Sequence, residues 1–373
     1  MKALFVTTSY PTEDSPVAGV FVREHALAAA EHADIAVLHL DRSHHYRGAP
    51  RLTRIATEVL PTWRVTYPWT PLPLSVAGHF AGAARGWRTI RHSGFEPDIL
   101  HAHFFLAGAP AVLLARLARK PLVVTEQWSV FLPDDPLELT RPLRAAARFA
   151  YERADLVLPA SDALRRGIES HGIHARFEVV PNVVDTSLFS PDSQERNGRL
   201  LTVGLLYQAK GYEYLLEALA LLRRDGRDVE LDIVGDGPQR AAYTRLADEL
   251  GLDGHVVFHG LVPKPEVARR MRESSLFVLT SRYDNNPCVL IEAMASGLPT
   301  VATAVGGIPE VVDESSGVLA RPRDPRSIAD AISAALDRPG GWDRRAIAES
   351  AAARFGRAEI GRRLAEIYER LAR

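Results

Sequence analysis

The sequence predicts an α/β protein built from two doubly wound domains. Three observations carry that expectation. The chain has 373 residues, 46% of them apolar, enough for two sizeable cores. Short apolar runs alternate with helix-length amphipathic stretches, as strands do when helices cover both faces of a parallel sheet. The alternation stops at a polar, irregular stretch around residues 185–197 and then starts again.

The elements follow in order. ALFVT (3–7) reads as a buried strand, FVREHALAAAEHA (21–33) as a helix and DIAVLHL (34–40) as a second strand. DILHAHF (98–104) and PLVVTE (121–126) are further strands, with LLARLARK (113–120) as the helix between them. DLVLPAS (155–161) and FEVVPNVV (177–184) repeat the strand pattern. Beyond the polar stretch, RLLTVG, VELDIVG, HVVFHG, LFVLTS and PTVAT are five strand candidates separated by helices. The last helix carries Ile360, Leu364, Ile367 and Leu371 on one stripe. It suits either domain, and its return to the first is part of the expected fold. The domains are therefore 1–188 and 198–355, with a C-terminal helix at 356–373. Doubly wound sheets bind ligands at the carboxyl ends of their strands, so two domains are expected to form a cleft.

Composition narrows the function. Net charge is −1, which argues against a nucleic-acid partner. A single cysteine, Cys288, excludes an internal disulfide framework and a cysteine-rich zinc site, and suits a reducing compartment. The longest apolar stretch, FFLAGAPAVLLA (104–115), is too short to span a bilayer, and the N-terminal apolar run is too short for a signal peptide. The expectation is a cytoplasmic protein, with the inner face of a membrane as a peripheral site.

The chemistry concentrates in YDNNPCVLIEAMASGLPTVATAVGGIPE (283–310). Asn286 suits a helix cap and Pro287 the first helical position, with Gly297 ending the helix. The start of such a helix offers backbone N–H groups to an anion. Asp284 before it and Glu292 inside it are placed to accept hydrogen bonds from sugar hydroxyls. One phosphate site flanked by two hydroxyl-binding acids describes a nucleotide-sugar pocket. The competing reading makes Asp284 a turn cap and Glu292 a solvated helix acid.

At these residues the chain resembles the retaining GT-B glycosyltransferases of sequence family four, over essentially its whole length. That family carries two acids separated by seven residues at the donor site. Here they are Asp284, where glutamate is usual, and Glu292. EAMASGLPTVAT, GGIPEVV, VPNVVDTSLF (180–189), DIVGDGP (232–238) and HGLVPKPEV (259–267) match further family patterns in order. The resemblance implies that Asp284 meets the transferred sugar, Glu292 the ribose, and the backbone near Leu261 and Val262 the base. It implies that Lys210 neutralises the donor diphosphate beside the helix start formed by Asn285, Asn286, Pro287 and Cys288. The family pattern VGR-L-x-x-x-KG reads VGLLYQAKG here, so Leu205 stands where an arginine is usual. Either another arginine substitutes or the donor complex is weaker.

On the acceptor side, the resemblance places the amide of Gly19 near the donor phosphate. HAHFF puts His101 and His103 on one strand face. A metal pair lacks an evident third ligand, leaving a core histidine or an acceptor contact for His103. Gln127 stands where family members often carry histidine. The implied reaction transfers a hexose from a UDP- or GDP-sugar to a glycan, glycolipid or small-molecule hydroxyl, with retention. The nucleotide sugar is a co-substrate, and no cofactor is expected. The sequence holds no Asp-x-Asp, so no metal-held diphosphate is expected. No glycine fingerprint follows the first strand, which argues against an oxidoreductase. An epimerase and a non-catalytic nucleotide-sugar-binding protein remain as alternatives. Finally, residues 41–95 hold eight arginines against Asp41 and Glu58, with Trp63, Trp69 and Trp87 among them. That mixture suits an anionic headgroup interface; the competing reading is a solvated basic face with its tryptophans in the core.

Overall fold

Residues 1–69, 74–192 and 198–373 are described by a computed structural model of the chain. Contacts divide it into two units. One comprises Met1–Phe131, Pro136–Val183 and Arg357–Arg373; the other comprises Leu132–Asp135 and Val184–Gly356.

The first unit runs β1 (Lys2–Thr7), α1 (Val20–Ala30), β2 (Asp34–Ser43), β3 (Arg51–Ile55), β4 (Thr62–Pro68), α2 (Leu74–His92), β5 (Ile99–His103), α3 (Phe104–Ala118), β6 (Leu122–Glu126), α4 (Arg141–Tyr151), β7 (Leu156–Pro159) and α5 (Asp162–Ser170). Its seven-stranded sheet has the order β3-β4-β2-β1-β5-β6-β7. Every pairing is parallel except β3 with β4.

Alternation decides what each face of this sheet meets. Phe5, Val37, Ile99 and Val123 pack toward α1 and the C-terminal helix in one core. Their neighbours point the other way: Leu38 lies against Gly86 of α2, and Val124 against Gly108 of α3. Gly108 also abuts Ala150 of α4. So α2, α3 and α4 form one layer, and α1 with the C-terminal helix forms the other.

The second unit runs β8 (Leu200–Val203), α6 (Tyr212–Arg224), β9 (Leu231–Val234), α7 (Arg240–Glu249), β10 (Val256–Gly260), α8 (Lys264–Glu273), β11 (Leu276–Leu279), α9 (Cys288–Ala295), β12 (Thr300–Thr303), α10 (Ile308–Val311), β13 (Gly317–Ala320), α11 (Pro325–Leu336) and α12 (Arg344–Phe355). Its sheet order is β10-β9-β8-β11-β12-β13, wholly parallel. The last helix, α13 (Arg357–Ala372), belongs to the first unit. Ile360, Leu364 and Ile367 are fully buried there. At about 1.5–3 kcal/mol for each large aliphatic side chain, their burial anchors the chain end firmly.

Several expectations need correction. FEVVPNVV forms no ladder strand. It makes only isolated bridges, Phe177 to Val157 and Val184 to Gly356, and Pro181 between them lacks the N–H a ladder needs. Val180 and Val183 enter the first core, while Val184 and Phe189 enter the second. The chain therefore changes unit at 183/184 rather than at 188. Strands β3, β4 and β13 were not anticipated. Of the tryptophans in 41–95, Trp63 and Trp87 are buried and only Trp69 is exposed. Part of the 188–198 linker lies outside the described residues.

Candidate active site

In the second unit the strand ends position the acids. Thr280, one residue past β11, donates its hydroxyl to the carbonyls of Lys210 (3.1 Å) and Gly211 (3.0 Å). This ties the tight turn at 208–210 to the end of β11. The Lys210 ammonium consequently reaches Asp284, with Nζ 2.6 Å from Oδ2. The Ser281 hydroxyl donates to the same oxygen at 3.0 Å, and the Asn285 amide donates to Oδ1 at 3.0 Å. Asp284 is thus held by three donors from three directions.

The backbone of Asp284 is equally constrained. Gly306 follows β12 with φ +50, and a Cβ there would lie 1.8 Å from the Asp284 carbonyl oxygen. Only glycine permits that approach. The second Gly-turn of the sequence pattern therefore presses the acid loop into place, although α10 behind it is a single turn.

Helix α9 begins at Cys288, and Pro287 rather than Asn286 occupies the capping position, with no side-chain cap. Pro287 adopts an extended ψ of 118°, so it delivers the chain into the helix instead of opening it. Asn285 and Asn286 are both buried beside this start. Glu292 lies one turn into α9 and is buried, 8% exposed. The Lys264 ammonium, at the first residue of α8, stands 3.6 Å from Glu292 Oε1. That pair brings the loop at Leu261 and Val262 beside Glu292, since Lys264 follows it by two residues. Leu261 is exposed, and Val262 packs on the second core.

Lys210, Asp284, Asn285, Asn286, Pro287, Cys288 and Glu292 therefore gather on one short segment and the turn facing it. Leu205 is a surface residue at the β8 end. Arg282 does not stand free in its place: its guanidinium pairs with Glu213 and lies over the Tyr214 ring.

The remaining candidates belong to the first unit. Gly19 precedes α1 at φ +65, and a Cβ would fall 2.4 Å from the Ser9 carbonyl. The turn into α1 therefore requires glycine. His103 is fully buried beneath α1, among Phe5, His25 and His101. Neither of its ring nitrogens reaches a hydrogen-bond partner, though the Gln127 amide is close enough to favour its charged form. Burial and then the His101 charge hold it well below the usual histidine range. It presents no atom to solvent here. His101 is satisfied instead, by Tyr368 and Thr125, each at 2.6 Å. The His25 ring approaches the Pro181 carbonyl at 2.9 Å through Nε2 and the Gln127 amide nitrogen at 3.1 Å through Nδ1. The tautomer protonated on Nε2 satisfies both. Gln127 also donates to Asn182 at 2.7 Å. Among the described residues no group of three or more acids, histidines or cysteines is arranged to hold a metal ion.

The organising residue of this edge escaped the sequence reading. Glu126, the last residue of β6, is fully buried. It accepts hydrogen bonds from the amides of Phe105 (3.1 Å), Gln127 (2.8 Å) and Trp128 (2.7 Å), and from the Tyr151 hydroxyl. Burial raises its pKa and these donors oppose the rise. Glu126 thereby fixes both the loop carrying Gln127 and the start of α3, where Phe104 adopts φ +68. A phenylalanine in that region costs on the order of 1–3 kcal/mol. The only available signal was an acid ending an apolar strand.

Two parallel-sheet Rossmann-like units in this order are the GT-B fold of glycosyltransferases. Full-length structural likeness agrees. The sucrose-phosphate synthase of Thermosynechococcus elongatus superposes with a TM-score of 0.79 at 20% identity, covering 100% of this chain and 99% of that one. Anabaena HepE in complex with UDP gives 0.78 at 21% identity, covering 100% of both chains. Residues 197–338 match the family described as Glycosyl transferases group 1, and residues 18–188 match Glycosyltransferase Family 4. Alpha-D-kanosaminyltransferase of Streptomyces kanamyceticus is 31% identical over 340 residues, 82% of this chain and 88% of that protein. The GDP-mannose-dependent alpha-(1-6)-phosphatidylinositol monomannoside mannosyltransferase of Mycolicibacterium smegmatis is 30% identical over 308 residues, 73% of this chain and 80% of that protein. The chain belongs to glycosyltransferase family 4.

Proposed function

We propose that the protein transfers a hexose from a nucleotide diphosphate sugar to an acceptor hydroxyl, with retention and without a metal ion, in polysaccharide or glycolipid assembly. The observation that carries this reading is the contact of Lys210 with Asp284 beside the start of α9, with Glu292 one turn further on. Lys210 and the α9 amides supply positive potential for a departing diphosphate. Asp284 accepts from the transferred sugar, and Glu292, steadied by Lys264, accepts from the ribose. No nucleophile is evident for a double displacement. Attack on the same face as the leaving group, with the departing phosphate taking the acceptor proton, is the proposed route.

The donor is proposed as a UDP- or GDP-hexose. HepE was solved with UDP and with UDP-glucose, and the mycobacterial relative is named as GDP-mannose-dependent. Thermal melting of the purified protein with UDP-, GDP- and ADP-sugars tests the reading. One of these nucleotides is expected to raise the melting temperature, and its sugar to appear in product with the donor's anomeric configuration by NMR. No stabilisation by any of them, or an inverted product, would overturn it. Donor turnover to an isomeric nucleotide sugar without transfer would replace it with an epimerase.

A further inference from the structure

The helices on the two faces of the first sheet differ in charge. The layer formed by α2, α3 and α4 carries seven arginines and no aspartate or glutamate. All seven are exposed, in a chain whose total charge is −1. On three other helices an arginine meets an acid three residues away on the same helix. Arg165 pairs with Asp162 on α5, Arg269 with Glu266 on α8, and Arg362 with Glu359 on α13. On α2, α3 and α4 that local neutralisation is missing. Arg91 and Arg148 find Glu96 and Glu152 beyond their helix ends. Arg88, Arg116, Arg141 and Arg144 make no ion pair among the described residues.

Apolar side chains stand in the same layer. Leu113 and Leu117, one turn apart on α3, are 42% and 83% exposed, and Arg116 and Arg119 flank Leu117. Along α4, Arg141, Arg144, Arg148 and the following Arg153 line a shallow hollow of about 370 Å³ with Phe149 and one acid, Glu152, the partner of Arg148. The charges are spread over three adjacent helices rather than forked around one point. That distribution matches a plane of many separate anions with an apolar interior, and not a single bound phosphate.

We infer that the α2–α3–α4 layer docks the protein on an anionic lipid bilayer, with arginines at the headgroups and Leu113 and Leu117 entering the interface. This replaces the continuous 41–95 stretch as the docking surface, since two of its tryptophans are core residues. None of the proposed donor residues lies in this layer, so membrane docking and donor binding fail independently.

The test is sedimentation of the full chain with vesicles of phosphatidylcholine alone or mixed with phosphatidylglycerol. Binding is expected only to the mixed vesicles, and it weakens with added salt as the Debye length shortens. Each arginine removed from the surface is expected to cost about fivefold in vesicle affinity. Arg88→Glu, Arg116→Glu, Arg141→Glu and Arg144→Glu together should abolish sedimentation. Arg326→Glu with Arg345→Glu, exposed residues of the second unit, lowers net charge elsewhere and should leave binding nearly intact. Leu117→Asp, at an 83% exposed position that tolerates polarity, should weaken binding severalfold and serves if the fourfold variant unfolds. No sedimentation with mixed vesicles at low salt overturns the inference. So does equal loss in the second-unit control, or retention by heparin beads without vesicle binding, which would indicate a soluble polyanion.

Discussion

Replacing Asp284 by asparagine separates two roles that the proposed donor site combines. In the nucleotide-free protein Asp284 holds the Lys210 ammonium at 2.6 Å, with side chains only 15% and 25% exposed. Opposite charges about 3.5 Å apart attract by about 5 kcal/mol at an effective dielectric near 20. Desolvation of both groups offsets most of that, leaving a net of about 1–2 kcal/mol. Asparagine keeps the shape and an oxygen for the Asn285 amide, and the Ser281 hydroxyl can turn to accept from the new amide nitrogen, so the loop should persist with about that loss in stability. Lys210, released from its partner, becomes more available to a diphosphate. Free nucleoside diphosphate should therefore bind as well as before, or tighter by up to about tenfold, the equivalent of 1.4 kcal/mol. Transfer should fall on the order of a hundredfold, because an amide is a weaker acceptor for the sugar hydroxyl. Calorimetry with the nucleoside diphosphate, urea unfolding and turnover at saturating donor measure the three quantities. Parallel losses in nucleotide affinity and turnover would refute the reasoning, because Asp284 would then contact the nucleotide.

Other outcomes follow from the same geometry. Lys210→Ala and Glu292→Ala should each lower transfer on the order of 10²–10³-fold while melting cooperatively; near-normal turnover in either would remove that residue from the site. EDTA should leave activity unchanged, and loss restored by Mg²⁺ or Mn²⁺ would replace the lysine-based diphosphate scheme. Stability should fall on acidification below about pH 6.5. Burial pushes the His25 pKa down to about 4 from the usual 6.5, so over that interval the unfolded chain binds a proton that the folded chain refuses. His25 then contributes on the order of 3 kcal/mol at neutral pH that is lost toward pH 4, and His101 and His103 act in the same direction. The raised pKa of Glu126 opposes them, since its folded form takes a proton first. A urea midpoint at pH 5 equal to or above that at pH 7 would contradict the balance drawn here.

Much of this protein is legible before any coordinates. Runs such as ALFVT and LFVLTS declare buried parallel strands, because strand periodicity and apolar content are local properties. The acids proposed for the donor site are legible for the same reason. Asp284 and Glu292 straddle one helix start, and Gly306 marks a turn that admits no Cβ. Other features were invisible because they arise from distant segments. The polar edge strand RLTRI pairs antiparallel with β4 and has no alternation to announce it. The imidazole cluster joins α1 and β5 and is closed by Tyr368 of α13, 267 residues from His101, so its burial follows from α13 crossing back to the first unit. Lys264 meets Glu292 only because α8 and α9 flank neighbouring strands. The seven arginines read as scattered charges until the crossover connections set α2, α3 and α4 on one side of the sheet. Sequence determines what each element prefers within its own period; which elements share a face is decided by long-range strand pairing and by where each crossover returns.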